Sequence, residues 1–311
     1  MDKPALPLPG ERLRAWQAQG THRTLCGHRI HVHGSDPSPA GERPLLVLVH
    51  GFPTSSFDWH ALWPLLSPRF RLLAPDLVGF GFSAKPKDHV YSIFEQADLI
   101  EALLADHAGE WHLLAHDYGD TVAQELLARH AGPASDVAGR LRSVCLLNGG
   151  LFPEAHRARF IQTLLASPLG SWLAPMMNRQ RFGRSFASVF GKAQQPDEAE
   201  LDAFWSLLAH DDGHLLAPRL LRYLHERKAH RERWVGALAT SRLPIRFING
   251  LDDPVSGSAM VARYRELMPA PDVVELPGVG HYPQVEAPRR VADAVLAFHA
   301  TRTQAQSRIS N

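Results

Sequence analysis

Three ionisable side chains in this 311-residue chain carry a spacing that points to covalent hydrolysis: Asp117, Asp253 and His281. Asp117 lies in the run His112-Leu-Leu-Ala-His116-Asp117-Tyr118-Gly119-Asp120. An apolar stretch there gives way to a small-x-carboxylate-x-small pattern (Ala115, Asp117, Gly119) and then to the helix-forming Thr121-Val-Ala-Gln-Glu-Leu-Leu. Strand, sharp turn and helix in that order push one side chain out of the fold, and small flanking residues let the backbone close. A carboxylate in that place decides the chemistry. With an ordinary pKa of ~3.9 an aspartate is anionic at neutral pH and needs no base to activate it, and the start of a helix favours its charge. On an ester or amide carbonyl it would form a reactive anhydride. On a saturated carbon bearing a leaving oxygen or halide it forms an ordinary ester, which an activated water then cuts. The pattern therefore points to epoxide or carbon–halogen hydrolysis ahead of esterase chemistry. Taken alone, Asp117 is equally well a helix N-cap, a role aspartate often fills.

The other two groups tilt the balance. His281 follows Pro277-Gly-Val-Gly280, a glycine-flanked loop after an apolar run, from which an imidazole reaches over a sheet edge and deprotonates water. Asp252 and Asp253 follow the strand-like Pro244-Ile-Arg-Phe-Ile-Asn-Gly250, and either would fix the histidine tautomer; spacing does not separate them. Asn148, at the end of the strand after the turn, holds a place where an acid also works but carries no charge. The run His50-Gly51-Phe52-Pro53 stands about 65 residues before Asp117. It assigns the Phe52 N–H, with the Tyr118 N–H, to an oxyanion cradle for the ester step. His50, Trp59, His116 and Asn148 are expected to line the substrate pocket. Tyr223 is the proton donor on offer to a leaving oxygen; packing against the core with its hydroxyl at the rim is an equal alternative.

These groups need a scaffold. Residues 21–34 alternate about Gly27 as an antiparallel hairpin. On its second strand His31 and His33 share a face and could bind a metal, but no third ligand is placed nearby, so a solvated edge-strand face is expected instead. Residues 35–43 form a Pro/Gly-rich turn. Leu45-Leu-Val-Leu-Val, Phe70 to Asp76, the stretch before Asp117, Leu141 to Asn148, Pro244 to Gly250 and Val273 to Leu276 read as buried parallel strands. Gly79-Phe-Gly81-Phe-Ser-Ala84 imitates a dinucleotide fingerprint, but loop residues follow where a helix must open, so nucleotide binding is rejected. From Leu151 to Arg242 prolines break helical stretches rich in Phe, Trp, Arg and His. The basic stretch Arg219 to Arg233 reads as a solvated helix face. The expected class is α/β, a mostly parallel sheet flanked by helices, with residues 1–150 and 243–311 as core and 151–242 as an inserted helical cap. Residues 301–311 read as a polar tail.

Composition excludes several functions. The 33 basic and 32 acidic residues leave a net charge of +1, which gives no reason to expect nucleic acid as partner. Two cysteines, Cys26 and Cys145, form no disulfide framework and fit a reducing compartment. No apolar stretch approaches the ~20 residues of a spanning helix, and three prolines interrupt Met1 to Trp16, which argues against a signal peptide. A cytoplasmic hydrolase of a small, apolar substrate is expected, without metal or cofactor; the oligomeric state is open.

The segments Gly51-Phe-Pro-Thr-Ser-Ser-Phe-Asp-Trp59, Gly79 to Ser83, Tyr91 to Gln96, His116 to Asp120, Asn148-Gly-Gly with Phe152-Pro-Glu, and Arg233 to Ala239 resemble the α/β-hydrolases of the epoxide hydrolase and haloalkane dehalogenase group. The resemblance covers most of residues 45–290, cap segments included. It implies the α/β-hydrolase fold and assigns the acid to Asp253, directly before Pro254. Haloalkane dehalogenases usually hold halide with a Trp after the nucleophile and a second Trp or Asn; here Tyr118 and Phe52 stand in those places. Epoxide hydrolases usually protonate the leaving oxygen with two cap tyrosines. The cap offers Tyr223, and His156 or His210 would have to replace the second, although both are expected at the surface. The resemblance thus implies an epoxide hydrolase-like enzyme, with a dehalogenase or a non-catalytic binding scaffold as rivals.

Overall fold

The computed structural model describes residues 9–34, 43–132 and 135–309. The turn expected over 35–43 lies almost wholly outside them. Eight strands form one sheet: β1 (Gly20–Leu25), β2 (His28–Gly34), β3 (Leu45–Val49), β4 (Arg71–Pro75), β5 (Trp111–His116), β6 (Leu141–Leu147), β7 (Ile245–Gly250) and β8 (Asp272–Leu276). Their order is β1-β2-β4-β3-β5-β6-β7-β8. The hairpin β1–β2 joins β4 antiparallel, and every pairing from β4 to β8 is parallel. All eight match apolar or alternating stretches visible in the sequence, because strands covered on both faces are written as continuous apolar runs.

The centre of the sheet is the rigid base of the site. All five residues of β3 are buried, as are five of the six in β5. Each buried aliphatic side chain contributes about 1.5–3 kcal/mol, so the pair readily outweighs the ~1–3 kcal/mol that a residue in a strained backbone conformation costs. That strain sits at the end of β5, where Asp117 has φ 48° and ψ −104°. Helix Tyr118–His130 follows at once, with its first ten residues buried against the sheet. Gly119 is required there: a Cβ would drive into the Val49 carbonyl at the end of β3.

Several expectations change. Helix Pro9–Gln19 has no apolar period in the sequence, yet it covers the hairpin through Trp16, which stacks on His33 with ring centroids 3.5 Å apart. The face of β2 carrying His31 and His33 is therefore buried, not solvated. β2 is also flanked by β1 and β4, so it is no edge. His31 faces the Asp76 carboxylate and His33 the Trp16 carbonyl, which spends both histidines on packing. The chain end is likewise not an irregular tail, since helix Pro288–Ile309 runs through it.

Between β6 and β7 every described element is a helix, the helices being joined by irregular stretches such as 148–159 and 188–197. The last helix, Arg231–Thr240, packs on the sheet's own flank instead of closing the cap. Arg233 and the Trp234 indole both donate to Glu125 of helix Tyr118–His130, at 2.7–2.9 Å.

Candidate active site

The side chain of Asp117 makes no capping hydrogen bond to its own helix, which removes the N-cap reading. It projects instead beneath two loops, 3% exposed. The Phe52 N–H donates to Asp117 Oδ2 at 3.1 Å. The Tyr118 N–H is the first of the helix and so has no acceptor within it. Asp117 Oδ1 faces His281 Nε2 at 3.8 Å. That gap is too long for a direct hydrogen bond.

His281 Nδ1–H donates to Asp253 Oδ2 at 2.8 Å. Asp253, not Asp252, is therefore beside the imidazole; Asp252 accepts instead from the Gly278 N–H. The Asp253 carboxylate also accepts from Asn148 Nδ2 at 2.9 Å and the Val255 N–H at 2.7 Å, with Ser256 Oγ 2.7 Å away. Burial alone would raise its pKa, but the His281 charge and these donors hold it below the ordinary value. Burial would lower His281, yet Asp253 foremost, and Asp117 after it, raise it to about 9.

The four residues expected to line the pocket do something else. His50 is fully buried: its Nδ1–H donates to the Gly51 carbonyl and its Nε2 accepts the Leu77 N–H, which ties the oxyanion loop to the one after β4. Trp59 is buried in the core under the loop. His116 is buried and kept neutral, its pKa lowered by burial and by His281 to about 3; its Nε2–H donates to the His281 carbonyl at 2.7 Å. Asn148, with φ 42°, bridges β6 and β7 by accepting the Gly250 N–H while it holds Asp253. His50, His116 and Asn148 follow or end strands at the expected edge and Trp59 closes the short helix Ser56–Trp59, but all four are buried and none is among the residues lining the cavity over the site.

The cavity over the site has a volume of about 690 Å³. Phe52, His281 and Tyr282 lie at its inner end, and Leu165, Phe182, Phe186 and Val189 from the cap form apolar walls. Tyr282 and Glu286 are functional residues that the motif reading missed. The Tyr282 hydroxyl donates to the Phe52 carbonyl at 3.2 Å. The Glu286 carboxylate accepts from Gly280, Tyr282 and the cap's Gly191, at 2.7–2.9 Å, clamping the histidine loop to the cap. A Glu five residues after the histidine was the available signal.

Tyr223 does not line this cavity. Its ring packs on Tyr118, centroids 4.8 Å apart, with the buried Arg227 guanidinium 4.7 Å above it. Its hydroxyl meets that guanidinium short of hydrogen-bond geometry. Burial first, then Asp117, raise its pKa, so it stays protonated. Arg227 is thus the exception to a basic face that is otherwise largely exposed. His156 lies half-buried beside Arg227, its pKa lowered by burial and by that cation to about 3, and so is not a surface residue. His210 is at the surface as expected, beside Asp211. Three residues after Asp117, Asp120 is fully buried, and the nearby Leu147 and Gly149 backbone stops short of full hydrogen-bond geometry with its oxygens; burial and Asp117 push its pKa well up. Among the described residues, metal-ligand chemistry converges at His28, His89 and Glu95, on another part of the molecule.

A family model described as "Alpha/beta hydrolase family" matches residues 46–294. The mouse mesoderm-specific transcript protein is 43% identical over 305 residues, which cover 94% of this chain and 89% of that protein. The putative hydrolase LipZ of Mycobacterium tuberculosis is 43% identical over 291 residues, 92% of this chain and 97% of LipZ. Among solved structures, the DbeA-M1 loop variant of a haloalkane dehalogenase from Bradyrhizobium elkanii superposes with a TM-score of 0.74. It is 23% identical and covers 92% of this chain and 98% of its own.

Proposed function

The chain belongs to the alpha/beta hydrolase family, and on that footing we propose that it hydrolyses an epoxide-like substrate through an ester on Asp117. Oδ1 of Asp117 attacks a saturated carbon, the carbon–oxygen bond breaks, and Tyr223, which packs behind the cavity on Tyr118 and has to swing away from Arg227 to reach it, protonates the departing oxygen. Oδ2, already under the Phe52 N–H, then carries the oxyanion when water adds to the ester carbonyl. His281 takes the proton from that water, with Asp253 holding the imidazole in the required tautomer. Collapse of the adduct breaks the bond between the Asp117 carbonyl carbon and the alkoxy oxygen, which takes the proton of the added hydroxyl and leaves as a diol; Asp117 is again a carboxylate, and the proton on His281 returns through solvent to the Tyr223 phenolate.

The observation that carries this reading is the division of labour between the two oxygens of Asp117: one meets a backbone donor at 3.1 Å and the other faces an imidazole at 3.8 Å. Ester formation also prepares its own hydrolysis. Asp117 is one of the charges that raise His281; alkylation removes that charge, the imidazole holds its proton less tightly, and the base becomes available. Support for epoxide over haloalkane comes from Tyr223, a buried and protonated phenol near the carboxylate, together with Tyr118 where a tryptophan would hold halide.

The test is to incubate the His281→Gln variant with a panel of epoxides and a panel of haloalkanes, and to weigh the peptide containing Asp117. An adduct from epoxides is expected, with turnover about 10³-fold lower than wild type. Adducts from haloalkanes alone favour the dehalogenase reading, and none from either favours the binding scaffold.

A further inference from the structure

Six large apolar side chains stand exposed among the described residues, and five of them fall within one stretch of the cap: Phe160, Ile161, Leu169, Trp172 and Met176. Phe160 and Trp172 are 81% and 82% exposed, which is unusual for aromatic side chains. Phe160 and Ile161 are carried by helix Phe160–Leu165, Trp172 by Gly170–Leu173 and Met176 by Ala174–Met176, with Leu169 in the link before the second, and each of these consecutive short helices packs on the next. The charge of this region is one-sided. Residues 155–196 include six Arg or Lys and no Asp or Glu. Of the six, Arg179 is the one with ion pairs among the described residues, to Glu198 and Asp202. Arg157, Arg181, Arg184 and Lys192 are exposed and Arg159 is half-buried; none of the five has an ion pair among the described residues, although Arg159 donates to Ser188 and Arg181 to the Met176 carbonyl. Ile161 and Met176, with Arg159, Arg181 and Arg184, also stand at the mouth of the cavity that leads to Phe52 and His281.

We propose that this face of the cap docks on an anionic lipid bilayer, with the cavity mouth opening onto the membrane surface. Exposed aromatic and aliphatic side chains ringed by unpaired cations are the composition that settles in a headgroup layer. Apolar groups enter the acyl boundary while Arg and Lys meet the lipid phosphates. The contact is peripheral, since no helix among the described residues is long and apolar enough to cross a membrane. A second copy of the chain fits this surface poorly, because a two-fold interface would set one cluster of cations against its own image. An apolar substrate dissolved in the bilayer would then reach the cavity without crossing water. That consequence rests on the proposed reaction; the docking does not, and its test needs no turnover.

Co-sedimentation of the full chain with vesicles of phosphatidylcholine alone, and of equal parts phosphatidylcholine and phosphatidylglycerol, decides the matter. The protein is expected to bind the anionic vesicles, to bind the neutral ones more weakly, and to be released as salt rises. Phe160→Ser with Trp172→Ser, both surface changes checked by thermal unfolding, should weaken binding at least about tenfold. Val90→Ser, at the exposed apolar residue outside the cap, should leave it unchanged. Equal binding by the double variant and wild type overturns the proposal, as does equal binding to neutral and anionic vesicles. A dimer that the double variant disperses, without vesicle binding by wild type, assigns the face to a second copy instead.

Discussion

At the scale of single residues, the site works by surrounding two charges with unequal company. Asp253 is saturated with donors and Asp117 is left half-free, so one carboxylate positions and the other is available to attack. Asn148→Ala removes a donor from a fully buried carboxylate, and the expected cost is about 1–3 kcal/mol, read by denaturant unfolding. The pH dependence follows from His281. Its folded pKa of about 9 lies above the ordinary 6.5, so its proton stabilises the fold fully below pH 6.5, and that contribution is lost as pH rises through about 9. Wild type should therefore lose more stability than His281→Gln across that interval in thermal scans; parallel curves would contradict the pairing. Asp117 and His281 were legible in the sequence because a lone carboxylate in a tight turn and a histidine after the last strand are local patterns. The bracing roles of Asn148 and His116 were not, since they depend on which strands lie side by side and which way an end residue turns.

At the scale of elements, Asp117, the proposed nucleophile, is held by a close approach, and His281, the proposed base, by a clamp. Gly119→Ala would force the start of helix Tyr118–His130 away from β3, at about 1–3 kcal/mol, with activity lost alongside because the strained turn relaxes. Glu286→Gln weakens three backbone contacts to the histidine loop and the cap. It is expected to lower kcat more than KM, because it loosens the base without removing any wall of the cavity. A KM effect alone would show that the clamp shapes the cavity instead. The strands could be read from their apolar runs, yet helix Pro9–Gln19 could not: a single buried tryptophan anchors it, and one residue makes no period. The same limit hid the place of helix Arg231–Thr240, whose attachment runs through Glu125 on an element more than a hundred residues earlier.

At the scale of the whole molecule, a parallel sheet presents its reactive loops at one edge and a helical insert roofs them, so substrate choice falls to the cap. Tyr223→Phe discriminates the chemistries there. Epoxide turnover should fall about 10²-fold, whereas a halide leaving group needs no proton and should leave at its former rate. The central claim, that an ester forms on Asp117, is tested most directly by one turnover with excess enzyme in heavy-oxygen water. The account predicts that the heavy atom enters the carboxylate of Asp117, found by weighing its peptide, while the product carries the protein's ordinary oxygen. Label in the product with none in that peptide would mean that water attacks the substrate directly, and the account would fail.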